Sequence, residues 1–340
     1  MKFLIVFIFS FNLAKANISN GLSAMQVSIS KTDVNIKSAK KWFDFYFTDG
    51  KKDFEDAFNR GSKYKGIIQA ILRKYSIPDD LYYLAMTESY FNNNASSNKG
   101  AVGIWQFIPS TAKNYGLRVT KNIDERKHPI KATIAAAKYL KDLYNIFNDW
   151  ALAAAAYNCG EYRVLKAIKK GGTRSFSKLA LMKLLPEETI NYVSKIWVTR
   201  EIAYKIKGDK NRGSSTYKDI SSIKLGKKEL SINTLSLISE LSVEDIIKHN
   251  PDIINVKSAL APEMTVYLPK KHVDLFIDFT SKKGVLSRLK KPGYLVTWGL
   301  KDAKKGDNIK ITFLNSSKLK IKNVRTKEEI IIKVKDLSKI

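Results

Sequence analysis

The sequence predicts a mainly α protein, an all-helical body followed by a smaller α+β region. Three observations carry this. Apolar residues recur at helical spacing from Lys41 to about Ile206, with no strand-like alternation among them. Gly208 to Ser222, rich in Gly, Ser, Lys and Asn, interrupts that pattern as a linker would. Beyond it, Ile309–Leu314 and Ile330–Val334 alternate as strands do.

Residues 17–40 are polar and read as a loosely ordered lead-in. Phe54, Ala57 and Phe58, then Ile67, Ile68, Ile71 and Leu72, mark one helical face. Pro78-Asp79-Asp80 opens the next helix, because proline presets φ and acidic groups suit the positive end of the dipole. Pro109 to Ala112 opens a short one. Tyr139, Leu140, Leu143, Tyr144 and Phe147 form a stripe within 130–147, and Trp150 to Tyr157, almost wholly apolar, reads as a buried central helix. Pro186 starts the last helix of the body. After the linker, 235–251 reads as two short helices ending at Asn250-Pro251, and Thr265–Pro269 as a short strand.

With 60 Lys+Arg against 32 Asp+Glu, the net charge of +28 points to an acidic partner. The N-terminus selects among such partners. Met1-Lys2 is basic, Phe3 to Leu13 is mostly apolar but too short to span a bilayer, and Ala14-Lys15-Ala16 is a small-residue cleavage site. This is the pattern of a secretory signal peptide. An exported chain is expected to meet cell-wall carboxylates or lipid head groups rather than nucleic acid, and no nucleic-acid-binding motif is present. The single cysteine, Cys159, excludes an intramolecular disulfide. His128, His249 and His272 stand apart from one another, so no metal site is expected.

Glu88 is the candidate for chemistry. It leaves an apolar helix in AMTESYF (85–91) and precedes a small-residue turn and aromatic-amide block, KGAVGIWQFIP (99–109). Glycoside cleavage ordinarily uses two carboxyl groups. The other acids, Asp124, Glu125, Asp149, Glu187 and Glu188, all read as loop, capping or helix-start residues. One carboxyl suffices where the substrate's own N-acetyl group assists, provided burial raises its pKa; Leu84, Met86, Tyr90 and Phe91 are the candidate neighbours. Gly100 and Gly103 allow a tight turn against a ligand. Gln106 can donate and accept, and Trp105, Phe107 and Tyr157 offer flat faces for sugar rings, though each aromatic taken singly suits a core equally well.

These residues carry a family resemblance. The stretch 88–112, the segment AYNCGEYRV (156–164) and the segment LPEETINYV (185–193) resemble, in order, three motifs of the SLT-type lytic transglycosylases. That family has a goose-type lysozyme-like α fold. The layout looks closest to a membrane-bound subfamily with a segment like Asp124-Glu-Arg126 and C-terminal LysM-type modules. The resemblance implies that Glu88 is the catalytic acid/base and that Ser89, Gly103, Gln106, Phe107, Tyr157, Asn158 and Tyr192 are substrate-binding. It implies non-hydrolytic cleavage of the β-1,4 bond between N-acetylmuramic acid and N-acetylglucosamine, giving 1,6-anhydro ends, with no metal and no cofactor. Peptidoglycan glycan strands are the implied partner, with a membrane surface or cell-envelope proteins as further partners. The implied location is the periplasm or cell envelope, with outer-membrane association as one option.

Three positions depart from the family pattern. His128-Pro129 replaces an Asp-Pro, Cys159 replaces a small residue and is expected as a buried filler, and Tyr162 replaces a Gly and is expected to narrow the cleft. The expected organisation is a signal peptide over 1–16, a lead-in and helix over 17–60, and an SLT-type domain over 61–206. A linker over 207–228 and a degenerate LysM-like module over 229–270 follow. The tail, 271–340, is read as α+β, with Lys305-Gly-Asp-Asn-Ile309 as the faint opening of a second degenerate LysM. The competing readings are a hydrolytic muramidase and a catalytically inactive wall-binding scaffold.

Overall fold

The computed structural model describes residues 28–207, 219–227, 229–280, 309–315 and 318–333. The expected signal peptide, much of the expected linker and the start of the Lys305–Ile309 segment lie outside the described residues. The chain divides into two compact units, parted between Lys218 and Asp219.

The first unit is helical throughout. Its helices are α1 (Ile36–Phe47), α2 (Lys51–Lys74), α3 (Tyr82–Ser89), α4 (Pro109–Asn114), α5 (Pro129–Phe147), α6 (Trp150–Cys159), α7 (Glu161–Gly171), α8 (Phe176–Leu181) and α9 (Glu187–Lys207). The expected helices at 78–89, 109–112, 130–147, 150–157 and 186–206 are all present, most with the stops the sequence announces. Asp149 caps α6 by accepting the Leu152 N–H at 2.7 Å. His128, where an aspartate was expected, performs the same service for α5: its Nδ1 accepts the Ile130 N–H at 3.2 Å. The imidazole substitutes for a capping carboxylate, so the departure leaves the local architecture intact.

α6 is the central element. Ala153 to Ala156 are fully buried, and their small side chains admit α5, α7 and α9 around one axis. α9 also packs along α1 and α3. α2 receives the end of α3 through a notch at Gly61, where a Cβ would lie 2.4 Å from the Phe91 ring and the Tyr82 hydroxyl. A helix-interior glycine costs about 1 kcal/mol, and here the close approach of Phe91 explains it.

The loosely ordered lead-in is corrected for its described part. Ser28 and Ile29 are buried, Lys31–Asp33 forms a turn of 3₁₀ helix, and α1 begins at Ile36. The Ser28 N–H donates to Asp80, and Arg200 donates to the Ile29 carbonyl at 2.9 Å and to Asp80 at 2.7 Å. Two backbone groups and a buried ion pair therefore order a stretch whose side chains are mostly polar.

In the second unit, β1 (Ile220–Lys224) pairs antiparallel with β2 (Thr265–Pro269), with α10 (Ile232–Ser239) and α11 (Val243–His249) between them in sequence. β1 falls inside the expected linker and corrects it: Ile220 and Ile223 are buried, and the strand belongs with the module that follows. Asn250 explains the Asn-Pro signal. It is fully buried, accepts the Tyr267 N–H and donates to the Tyr267 carbonyl, both at 2.8 Å, and so fastens the end of α11 to β2. α12 (Lys270–Thr280), which no sequence signal marked, packs on α10 and both strands. The two expected tail strands are present as β3 (Ile309–Asn315) and β5 (Glu329–Lys333). With β4 (Lys318–Asn323) between them they form an antiparallel meander. Within 309–333 this meander stands where a second LysM copy opening at Lys305 would need its helix pair; residues 281–308 lie outside the described residues.

Candidate active site

Glu88 sits on the last turn of α3, where Tyr90 and Phe91 both take left-handed φ, 52° and 57°. Consecutive non-glycine residues in that region are strained. Burial of Phe91 against Tyr82, ring centroids 4.6 Å apart, holds the reversal. The reversal directs the chain away from Glu88, leaving its carboxyl at a helix C-terminus, the unfavourable end for an anion.

The carboxyl is partly buried. Its Oε1 accepts a 2.5 Å hydrogen bond from the Tyr192 hydroxyl of α9, while Oε2 has no hydrogen-bond partner among the described residues. Burial pushes Glu88 up to about 7, against the Tyr192 hydrogen bond and the Lys195 cation, which lower it; the Glu188 charge adds to the rise. Lys195 is pushed down to about 8 by its own burial, and Glu88 partly restores it. Its Nζ lies 4.6 Å from the Trp42 ring centroid and 5.1 Å from that of Tyr90, and donates to the Thr87 carbonyl at 3.4 Å. Replacing Lys195 with Met removes the opposing cation, so the Glu88 pKa is expected to rise further. Titration of the Glu88 carboxyl by ¹³C NMR reads this, and an unmoved or lowered value refutes the coupling.

The loop between α3 and α4 faces this carboxyl and is fastened by side chains from three directions. Ser89 Oγ donates to the Ile104 carbonyl at 3.0 Å, and the Tyr157 hydroxyl to the Trp105 carbonyl at 2.7 Å. Gln106, itself at φ 48°, donates to the Gly103 carbonyl at 2.9 Å. Arg126 reaches the Gly100 and Phe107 carbonyls at 2.7 and 3.0 Å while paired with both oxygens of Asp124. Gly103, at φ 84°, lies so close to the Arg126 backbone that a Cβ would stand 2.0 Å from its carbonyl oxygen. Its close neighbour is thus the protein's own backbone. Gly103→Ala is expected to cost on the order of 2–3 kcal/mol, from strain and clash together, in chemical denaturation. A loss within a few tenths would refute the constraint.

The sequence-selected residues therefore divide. Glu88 and Tyr192 meet directly. Ser89, Gly103, Gln106 and Tyr157 shape the loop beside them. Asn158 accepts the Thr189 hydroxyl at 2.8 Å, and its amide N–H groups have no protein partner among the described residues. The flat-face reading of Trp105 and Phe107 is corrected: Trp105 is fully buried with its indole N–H on Thr133, and Phe107 is buried against Tyr139 and Tyr157. Beyond the expected neighbours Leu84, Met86, Tyr90 and Phe91, Tyr192 and Lys195 of α9 act on Glu88, and the Glu88 charge acts on Tyr157 of α6.

Of the other acids, Asp124, Glu125 and Asp149 are occupied. Asp124 and Glu125, expected in a polar loop, are buried, the first with Arg126 and the second with Lys131 at 2.9 Å. Asp149 caps α6, and Glu187 and Glu188 lie in the first turn of α9, as expected. Cys159 is partly exposed rather than a buried filler, and burial still pushes its thiol up, away from the thiolate. Tyr162 is 78% exposed on α7. Among the described residues no group of His, Cys, Asp and Glu gathers as a metal site. Sequence reasoning missed Lys195, Trp42 and Tyr139. A lysine on an amphipathic helix reads as solvated, and only its spacing from Tyr192, one turn along α9, signals a shared face.

Residues 65–180 match the Transglycosylase SLT domain family. The chain is 34% identical over 229 residues to membrane-bound lytic murein transglycosylase D of Escherichia coli (strain K12), across 66% of this chain and 50% of that protein. It is 38% identical over 141 residues to peptidoglycan transglycosylase gp16 of Escherichia phage T7, across 40% of this chain and 10% of that protein. Among solved structures, the 70 kDa soluble lytic transglycosylase of Escherichia coli superposes with a TM-score of 0.34 at 23% identity, covering 44% of this chain and 26% of that one. The chain spans half the length of the transglycosylase D relative.

Proposed function

We propose that this chain, which carries a transglycosylase SLT domain, is a peptidoglycan lytic transglycosylase with Glu88 as its single acid and base. The observation that carries this reading is a partly buried carboxyl pushed up to about 7, one of whose oxygens accepts from Tyr192. At neutral pH such a group is divided between its two forms and can serve both steps.

In the first step Glu88 gives its proton to the glycosidic oxygen as the bond from that oxygen to muramyl C1 breaks. The substrate's acetamide oxygen supports C1 from the opposite face. In the second, Glu88, now a carboxylate, takes the proton of the muramyl 6-hydroxyl as that oxygen closes on C1. The products are a free 4-hydroxyl and a 1,6-anhydro end, with no water consumed. Tyr192 donates to the carboxylate between the steps, and the free N–H groups of Asn158 suit an acetamide carbonyl.

The β1–α10–α11–β2 module is read with this as a degenerate LysM-like glycan-binding unit, and the export signal of residues 1–16 as placing the chain in the cell envelope. No helix among the described residues is long and apolar enough to cross a membrane. Digestion of purified sacculi followed by mass spectrometry of the released ends tests the reaction. Anhydro-muramyl ends are expected. Reducing ends that have gained water would assign hydrolysis instead, and binding without release would leave a scaffold.

A further inference from the structure

Apart from the Glu88 site, the catalytic unit carries a cavity of about 490 Å³ lined by Tyr75, Asn114, Tyr115, Gly116, Lys138, Lys141 and Asp142. A file of tyrosines leads to it. Tyr157, whose ionisation feels the Glu88 charge, packs on Tyr139 with ring centroids 5.1 Å apart, and Tyr139 on Tyr115 at 5.0 Å, both pairs tilted by 37°. Tyr115 belongs to the cavity wall. The Tyr115 ring of the cavity wall therefore lies within about 10 Å of the Tyr157 ring, a span a single glycan strand can cover.

The charge of the cavity is specific. Lys138 and Lys141, both on α5, form no ion pair among the described residues; Lys141 lies 5.6 Å from the Tyr144 ring centroid. Asp142 accepts the Tyr115 hydroxyl at 3.0 Å. Among the lining residues two ammonium groups therefore stand against one carboxylate that is already hydrogen-bonded, with an amide and phenols beside them; the Glu161 charge, from outside the lining, is felt at Tyr115. This inventory fits a short peptide with more carboxylates than amines. A bare sugar would leave both cations unanswered.

We infer that this cavity binds the acidic peptide stem attached to a muramyl residue next to the one being cleaved, so that Lys138 and Lys141 select stem-bearing strands. The inference rests on the transglycosylase reading for its substrate. The test compares the full chain with Lys138→Gln/Lys141→Gln on two substrates: glycan strands bearing stems, and the same strands with stems removed by an amidase. The KM for stem-bearing strands is expected to rise about tenfold in the variant, with kcat and the stem-free KM unchanged. An equal change on both substrates, or none on either, overturns the inference.

Direct titration with the released stem peptide, followed by NMR of the α5 amides, gives a readout independent of turnover. Wild type should show saturable shifts at α5 that the variant loses. Inorganic phosphate at equal concentration should not reproduce them; if it does, the cavity is a generic anion site and the inference fails. Peptide binding without turnover of either substrate would overturn the transglycosylase reading while leaving the stem site standing.

Discussion

Glu88→Gln is expected to reduce release of muropeptides by on the order of 10³-fold while making the folded protein more stable at alkaline pH. The first effect follows from removing the proposed proton donor and acceptor. The second follows from linkage. The folded-state pKa, about 7, lies above the ordinary value of 4.5. Between those values the folded chain holds a proton that the unfolded chain has lost, so stability falls as pH rises through that window. At pH 8 the buried carboxylate costs on the order of 1–3 kcal/mol, which glutamine avoids while its side-chain oxygen still accepts from Tyr192. Denaturant melts at pH 4 and pH 8 check the sign: the variant should gain only at the higher pH. Retained release would remove Glu88 from the mechanism, and a gain equal at both pH values would refute the raised pKa.

Arg126→Met is expected to destabilise the catalytic unit by about 3–5 kcal/mol. The guanidinium is buried, pairs with both Asp124 oxygens and satisfies the carbonyls of Gly100 and Phe107. Methionine fills the volume but removes the cation and the guanidinium donors from the buried Asp124 carboxylate, which keeps only the residue-126 backbone N–H, and takes away the donor of the Gly100 carbonyl, while the Phe107 carbonyl keeps the Val102 N–H. The loop opposite Glu88 loses its anchor, so turnover should fall by about 10²-fold even at temperatures where the variant is folded. Adding Asp124→Asn removes the stranded charge and should recover part of the stability but not the turnover. If the single variant lost less than about 1 kcal/mol, the ion pair would be ornamental to the fold.

Much of this organisation was legible in the sequence, for physical reasons that differ between elements. Helices α5, α6 and α9 announced themselves because their apolar period and their capping or proline starts agree with one another. Glu88 was legible because a carboxyl among apolar residues before a glycine turn has few structural explanations. β1 was hidden by its brevity and by polar flanks, since a strand of that length is stabilised by its partner rather than by its own pattern. Lys195 was hidden because its work is tertiary: it acts on Glu88, far away in the chain, and nothing in a linear pattern marks which cation will be buried. Trp105 illustrates the reverse error: an aromatic within a binding motif looks available until packing is known, and its burial supports the loop from behind.

The contact between α1 and α9, together with the Arg200 bonds to Ile29 and Asp80, has a consequence for synthesis. A ribosome delivers the chain from the N-terminus, at a pace slow compared with helix formation. Glu88 and the fastened loop emerge early, but Tyr192, Lys195 and Arg200 arrive only with the final helix of the unit. Until then the aromatic face of α1 has no cover and Glu88 lacks its hydroxyl partner. The nascent polypeptide therefore cannot assemble the proposed catalytic machinery piecemeal; the carboxyl's setting is completed by the last helix of the first unit to leave the exit tunnel, and competence arrives in one docking event.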